Sequence, residues 1–197
     1  MVYKKYIKRI LDILLALVVL PFVLVVCLIF GILIFAEDRG DIFYIANRRG
    51  RNGSVFGMYK LRSMKMNAPD IRNKDNSTFN SSDDPRVTKI GKIMRKASID
   101  ELPQIFNILK GDMSWIGPRP NQPSKKYDEM TDIEKDRLSI RPGVTGYSQA
   151  YYRNSISQGE KLIKDLYYVN NISFLLDFKI VLQTIKSVLF QENINTN

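Results

Sequence analysis

A chain of 197 residues with 30 lysines and arginines against 20 aspartates and glutamates carries a net charge of +10. That charge implies an anionic partner: nucleic acid, lipid headgroups or a phosphorylated substrate. The absence of histidine excludes histidine general bases, histidine-ligated metals and Ser-His triads, and the one cysteine, Cys27, excludes a disulfide framework.

Catalysis must therefore come from carboxylates, Arg, Lys, Tyr, or a hard metal ion held by oxygen. The N-terminus is a short cationic head, MVYKKYIKR, and from Ile13 to Phe35 no charged residue occurs. Such a run is long enough to cross a bilayer, and no small-residue cleavage site follows it to mark a signal peptide. Pro21 falls near its middle, and cationic residues flank both ends: Lys4, Lys5, Lys8 and Arg9 before, Arg39, Arg48, Arg49 and Arg51 after. Both ends then belong on the same side, so the expectation is a re-entrant helix broken at Pro21. The alternative is an ordinary kinked transmembrane helix, since proline is tolerated in spanning helices. Asp12 is expected at headgroup depth or paired with a basic residue.

Ile42–Ile45 and Val55–Met64 read as two strands joined by the turn Arg48–Gly53, with Lys60 and Arg62 on one face of the second strand. The basic tip suits anionic headgroups or simply solvent. Residues 67–86 are polar and turn-rich, a surface loop. Its Asp83-Asp84 pair invites comparison with the acidic metal pairs of glycosyltransferases, but an Asp-Asp-Pro turn is the favoured reading. Thr88 caps a short basic helix running to Lys96.

The stretch RKASIDELPQIFNILKGDMSWIGPRP, Arg95 to Pro120, organises the rest. Ser98 and Glu101 have the spacing of a capping box, and Leu102, Ile105, Phe106 and Leu109 recur as one helix face that Gly111 ends. Asp100 and Glu101 are thus expected in a first helical turn, where the dipole favours negative charge. Tyr127–Ser139 reads as a charged helix, Arg141–Tyr147 as a loop, and Tyr151-Tyr152-Arg153-Asn154 as a base-stacking and phosphate patch. Ser157–Val169 is a helix containing Asp165. Ser173 caps a last helix, Phe174–Phe190, apolar over more than half its circumference, hence core or pressed onto a membrane surface.

The charged groups expected to converge are Lys60, Arg95, Asp100, Glu101, Arg119, Arg153 and Asp165. Adjacent carboxylates at a helix start diverge, so one faces a phosphorus while its neighbour holds a cation. Mg²⁺ suits this, since it takes one or two carboxylates with water and phosphate oxygens. Arg and Lys neutralise phosphate oxygens, and an ionised Asp100 can attack phosphorus without losing a proton.

These motifs, with DDPRVTKIGKIMR before and RPGVTGYSQA after, resemble the bacterial sugar transferase family, the small monotopic phosphoglycosyl transferases. The resemblance covers essentially the whole chain. It implies transfer of a phospho-sugar from a UDP-sugar to undecaprenyl phosphate, giving undecaprenyl-diphosphate-sugar and UMP. The route is ping-pong, through a covalent phospho-sugar on Asp100, and is the first membrane-committed step of bacterial glycan assembly. Asp100 matches the nucleophile and Glu101 the Mg²⁺ ligand, with Asp100 beside it at the metal. Lys60, Arg95, Arg119, Arg153 and Asp165 match phosphate- and nucleotide-site positions. The family's membrane helix breaks at Ser-Pro where this chain has Leu20-Pro21.

The expected fold is α+β and mostly helical. Residues 1–36 form the re-entrant membrane helix, and 37–197 a cytosolic catalytic domain with a small β-hairpin and amphipathic interfacial helices on the bacterial inner membrane. Membrane lipid and downstream glycosyltransferases are the other expected partners, and nucleic acid is not one. The alternative function is a membrane-attached basic module that binds nucleic acid or anionic lipid without catalysis, for which adjacent acids beside Arg95 have no use.

Overall fold

The computed structural model describes residues 2–71, 84–153 and 155–190. Its first long element, α1 (Lys8–Asp38), follows a π-helical turn at Tyr3–Ile7 and contains Pro21. At 1.5 Å per residue, 31 residues make a helix of about 46 Å, against a hydrocarbon core of ~30 Å. The expected break at Pro21 does not interrupt it: helical structure continues on both sides. A proline removes one N–H bond and leaves the i→i−4 bonds on either side of it intact. Large apolar side chains along α1 are uncovered, among them Val18 (77% exposed), Phe22, Leu28 and Ile32. It is the one helix, among the described residues, long and apolar enough to cross a membrane.

The hairpin forms as expected from β1 (Phe43–Arg49) and β2 (Val55–Leu61), with the turn at Arg51–Gly53 held by left-handed Asn52 and Gly53. Arg48 and Arg49 lie in the strand rather than the turn.

The remaining contacts fall into two units, and α1, β1 and β2 run through both. One unit takes in the described residues within Val19–Ala46 and Tyr59–Gln104. It holds α2 (Lys89–Ala97), capped by the Thr88 hydroxyl, which accepts from the Gly91 amide at 2.9 Å. Gly91 has to be glycine, because a Cβ there would lie 2.0 Å from the Ser63 carbonyl oxygen. The Glu37 carboxylate also serves this helix start, accepting from the amides of Lys89 (2.7 Å) and Ile90 (3.1 Å). Asp38 takes a two-pronged ion pair from Arg62 at 2.5 and 2.6 Å, with the side chain of Arg62 almost fully buried. In the expected surface loop, residues 72–83, including Asp83, lie outside the described residues. Asp84 is buried and gripped by the Arg86 guanidinium and amide, as the turn reading requires.

Ser98 corrects the expected capping box. Its φ of 56° places it in the left-handed region as the C-cap of α2, and its side chain caps nothing. A 3₁₀ turn follows at Ile99–Glu101, then Leu102 and Pro103, and α3 starts only at Gln104 (Gln104–Lys110). Pro103 explains the delay, since it lacks an N–H and restrains the residue before it. The buried positions of α3 are accordingly Gln104, Ile105, Asn107 and Ile108, while Leu102, Phe106 and Leu109 are only half-buried. Gly111, at φ +95°, ends it as predicted.

The other unit takes in the described residues within Met1–Val18, Asn47–Met58 and Ile105–Asn197. Two three-residue strands that sequence patterning misses, β3 (Ser114–Ile116) and β4 (Gly143–Thr145), pair in parallel with Ser114 opposite Gly143 and Ile116 opposite Thr145. Between them lies α4 (Asp132–Arg137), shorter than the expected Tyr127–Ser139 because a Thr131–Glu134 capping box starts it late. After β4 come α5 (Tyr147–Tyr151), α6 (Gln158–Asn170) and α7 (Phe174–Leu189); Ser173 caps the last as read from sequence, while Ser157, expected inside its helix, is instead the cap of α6. The core joins Ile116, Ala150, Tyr168 and Ile180, flanked by Trp115, Tyr147 and Leu176. One side of α7 is buried there, while Phe174, Leu175, Phe178, Leu182 and Ile185 stay exposed.

The N-terminal head is fastened into this unit by polar contacts. Asp177 accepts from Lys8 Nζ (2.8 Å), Tyr3 Oη (2.6 Å) and Tyr168 Oη (2.6 Å), and Arg9 donates to the carbonyls of Ile108 and Leu109 at the end of α3. Asp12 is buried, accepting from Ser114 Oγ (3.0 Å) and the Trp115 amide (3.2 Å). Its hydrogen-bond partners are thus polar groups of β3, not a basic side chain.

Candidate active site

Strand β2 carries Lys60, the last turn of α2 carries Arg95, and the left-handed step at Ser98 turns the chain so that Asp100 and Glu101 follow at once. In a 3₁₀ turn successive side chains point about 120° apart, so the two carboxylates diverge. Lys60 Nζ meets Glu101 Oε1 at 2.7 Å, with both side chains under a fifth exposed. Asp100 is buried, 8% exposed. Burial pushes its carboxyl pKa up; the positive charges of Lys60 and Arg95 pull it down, and Glu101 pushes it up again. Arg95 donates its Nε–H to Ser63 Oγ at 3.0 Å. Four of the predicted site residues, Lys60, Arg95, Asp100 and Glu101, are thus brought together within one unit.

The other three lie in the second unit. Asp165 is 2% exposed, accepting from Arg137 Nε (2.7 Å) on one oxygen and Ser148 Oγ (2.6 Å) on the other. Arg137 Nη2 also donates to the Arg119 carbonyl at 2.7 Å. Asp165 therefore sits in an interior network that includes the backbone of Arg119. Arg153 follows the end of α5 with a left-handed φ of 44°. Beside it the expected aromatic pair is part of a larger cluster, in which Tyr147 meets Tyr151 and Tyr167 at centroid distances of 4.9 and 5.0 Å and Lys164 lies over Tyr152. The rings are tilted at 37–47° rather than parallel, and Asn154 lies outside the described residues.

The family described as bacterial sugar transferase matches residues 3–191, 189 of the chain's 197 positions. The chain belongs to the bacterial sugar transferase family. Galactosyl transferase CpsE of Streptococcus agalactiae is 45% identical over 162 residues, 78% of this chain and 36% of that protein. The UDP-N-acetylgalactosamine-undecaprenyl-phosphate N-acetylgalactosaminephosphotransferase of Aeromonas hydrophila is 39% identical over 189 residues, 93% of this chain and 44% of that protein. The uncharacterized sugar transferase EpsL of Bacillus subtilis is 37% identical over 187 residues, 95% of this chain and 89% of that protein. This family member thus spans between a third and a half of the length of the first two relatives, and most of the third.

Sequence reasoning missed Arg137 and Ser148 in this family member. Arg137 lay in a segment whose charge reads as solvated, and nothing local marks it as the partner of a residue 28 positions away. It missed Ser63 as well, an ordinary serine just past a strand. As for a cation, no group of three His, Cys, Asp or Glu side chains is arranged to hold one among the described residues. The pair Asp100–Glu101 offers carboxylate oxygens only, the donor chemistry of a hard divalent ion that completes its shell with water and phosphate.

Proposed function

We propose that the protein moves a phospho-sugar from a UDP-sugar to undecaprenyl phosphate at the cytosolic face of the bacterial inner membrane. The observation that carries this is a buried aspartate flanked by Lys60, Arg95 and Glu101 in a chain of this family. The Asp100 carboxylate oxygen attacks the sugar-bearing β-phosphorus, and the P–O bond to UMP breaks, its electron pair leaving with UMP. An oxygen of the acceptor phosphate then attacks the same phosphorus, the aspartyl–phosphorus bond breaks, and Asp100 is regenerated ionised. Lys60 and Arg95 offset the charge on the phosphoryl oxygens. Glu101, with Asp100 beside it, would hold Mg²⁺, which supplies neutralisation of the diphosphate when bound; Lys60 holds the Glu101 carboxylate in place.

The membrane placement rests on connectivity. Asp12, near the start of α1, is bonded to Ser114 and Trp115, while its far end passes through Glu37 and Asp38 into residues 39–114. No second helix long and apolar enough to span occurs among the described residues of that stretch. With cationic residues flanking both ends of α1, this supports a reading in which α1 stays helical but bends at Pro21 inside the bilayer and returns to the side it entered. Lipid-anchored acceptor and water-borne donor so meet at one carboxylate. In Cys27→Ala membranes, Lys5→Cys and Lys65→Cys are expected to label with an impermeant maleimide from the cytosolic side only. Labelling of the two from opposite sides would mean a true crossing.

Purified in detergent with Mg²⁺ and undecaprenyl phosphate, the protein is expected to release UMP from at least one member of a UDP-sugar panel. No release across the panel, together with steeply salt-dependent nucleic-acid binding, would favour the binding-module reading instead.

A further inference from the structure

Arg95 is the one cation of the carboxylate cluster whose orientation is set by a neutral side chain. Its Nε–H is taken by Ser63 Oγ at 3.0 Å, and its two terminal nitrogens have no hydrogen bond to any described residue. A guanidinium anchored through Nε presents its remaining fork in one direction, which is the geometry for gripping two phosphate oxygens. An unanchored arginine has to give up rotamer freedom for the same grip.

Ser63 is itself held from every side. It is 8% exposed, its carbonyl accepts from the Thr88 amide at 3.1 Å, and Gly91 passes so close to that carbonyl that no side chain fits between. Its neighbour Arg62 is buried, locked to Asp38 at the end of α1 and to the carbonyls of Asp41 and Met64. The next residue, Met64, bridges Val87. So much fixing of one small hydroxyl is unnecessary for a solvent-facing serine after a strand, and it ends on a single acceptor for Arg95.

We propose that Ser63 is a positioning residue: its hydroxyl oxygen orients the Arg95 guanidinium so that its two terminal nitrogens grip the donor's diphosphate. Asp38, through Arg62, braces the segment that carries it. This rests on the phospho-sugar transfer reading for its substrate, and the test separates the two.

The test is a double-mutant cycle on kcat/KM for UMP release. Ser63→Ala is expected to lower kcat/KM about tenfold, the usual cost of a hydrogen bond to a charged group. Ser63→Thr, which keeps the hydroxyl, is expected to restore most of it. In an Arg95→Met background, Ser63→Ala is expected to cost nothing further. Full additivity, or wild-type kinetics in Ser63→Ala, overturns the proposal, because a serine that merely supports the fold would act whether or not Arg95 is present. Should Ser63→Ala fail to fold, Ser63→Cys keeps the volume with a poor acceptor and is expected to show the same non-additivity. The same cycle is run on UDP binding by calorimetry. If the wild type binds UDP with this coupling but releases UMP from no UDP-sugar, the transfer reading falls and the positioning role stands. Turnover without coupling in either readout overturns the positioning role alone, and absence of UDP binding by the wild type overturns both.

Discussion

Asp100→Asn is expected to reduce UMP release by at least about 10³-fold, the scale on which loss of a covalent nucleophile is felt, while the protein still inserts and folds. The amide matches the carboxylate in shape but carries no charge and makes no bond to phosphorus. The variant's stability should equal or exceed the wild type's. Burial raises the Asp100 pKa in the fold, so the folded state binds its proton more tightly than the unfolded one, and ionising the group above that pKa costs stability. An amide removes that cost at neutral pH, and a higher or equal midpoint of chemical unfolding in detergent is the sign to look for. Intact-mass measurement adds an independent readout. Wild-type protein given donor without acceptor should gain the mass of one phospho-sugar, and Asp100→Asn should gain nothing. Near-normal turnover in the variant would remove Asp100 from the nucleophile's role whatever the mass spectrum shows.

What makes such a site readable in advance is local chemistry, and what hides part of it is distance along the chain. Thr88 and Ser173 were legible as caps because a hydroxyl stood just before an apolar or basic period, and each helix starts there. Ser98 carried the same signature and misled, because the αL step that closes α2 uses the same residue type and Pro103 postpones the next helix. The divergence expected of Asp100 and Glu101 does not depend on that cap, since a 3₁₀ turn points two adjacent carboxylates in different directions as well as a first helical turn does. Strands β3 and β4 were invisible: three residues give no alternation, and parallel pairing across 29 positions depends on the close approach of Gly117 to Gly143, not on anything either stretch shows alone. The pairing of Lys60 with Glu101 was legible only as an expectation that opposite charges would converge, and the fold supplies the contact across 41 positions. Arg119 and Asp165 were legible as charged residues of one cluster, but not that a buried Arg137 would link the carboxylate of one to the carbonyl of the other.

That link gives a second expected result of comparable size, on stability rather than chemistry. Asp165→Ala should destabilise the fold by about 3–5 kcal/mol, because it leaves Arg137, itself 8% exposed, as a buried charge without its partner. The Ser148 hydroxyl loses its acceptor at the same time. Both effects are measured by the midpoint of denaturant unfolding in detergent. Asp165→Asn should recover part of the loss, since its amide oxygen still accepts from Ser148 or Arg137 but brings no charge. The double replacement Arg137→Met with Asp165→Leu should be less harmful than Asp165→Ala, because removing both charges avoids the unpaired one. This pattern separates an interior role from direct contact with the nucleotide. If Asp165 serves only to keep Arg137 paired in the interior, UMP release per folded molecule should recover in the double variant along with stability. If Asp165 instead touches the nucleotide, the double variant should fold well and stay inactive, with UDP binding lost in proportion. The hydrogen bonds argue for the first outcome: both carboxylate oxygens are already engaged by protein groups, at 2.6 and 2.7 Å, in a side chain that water barely reaches.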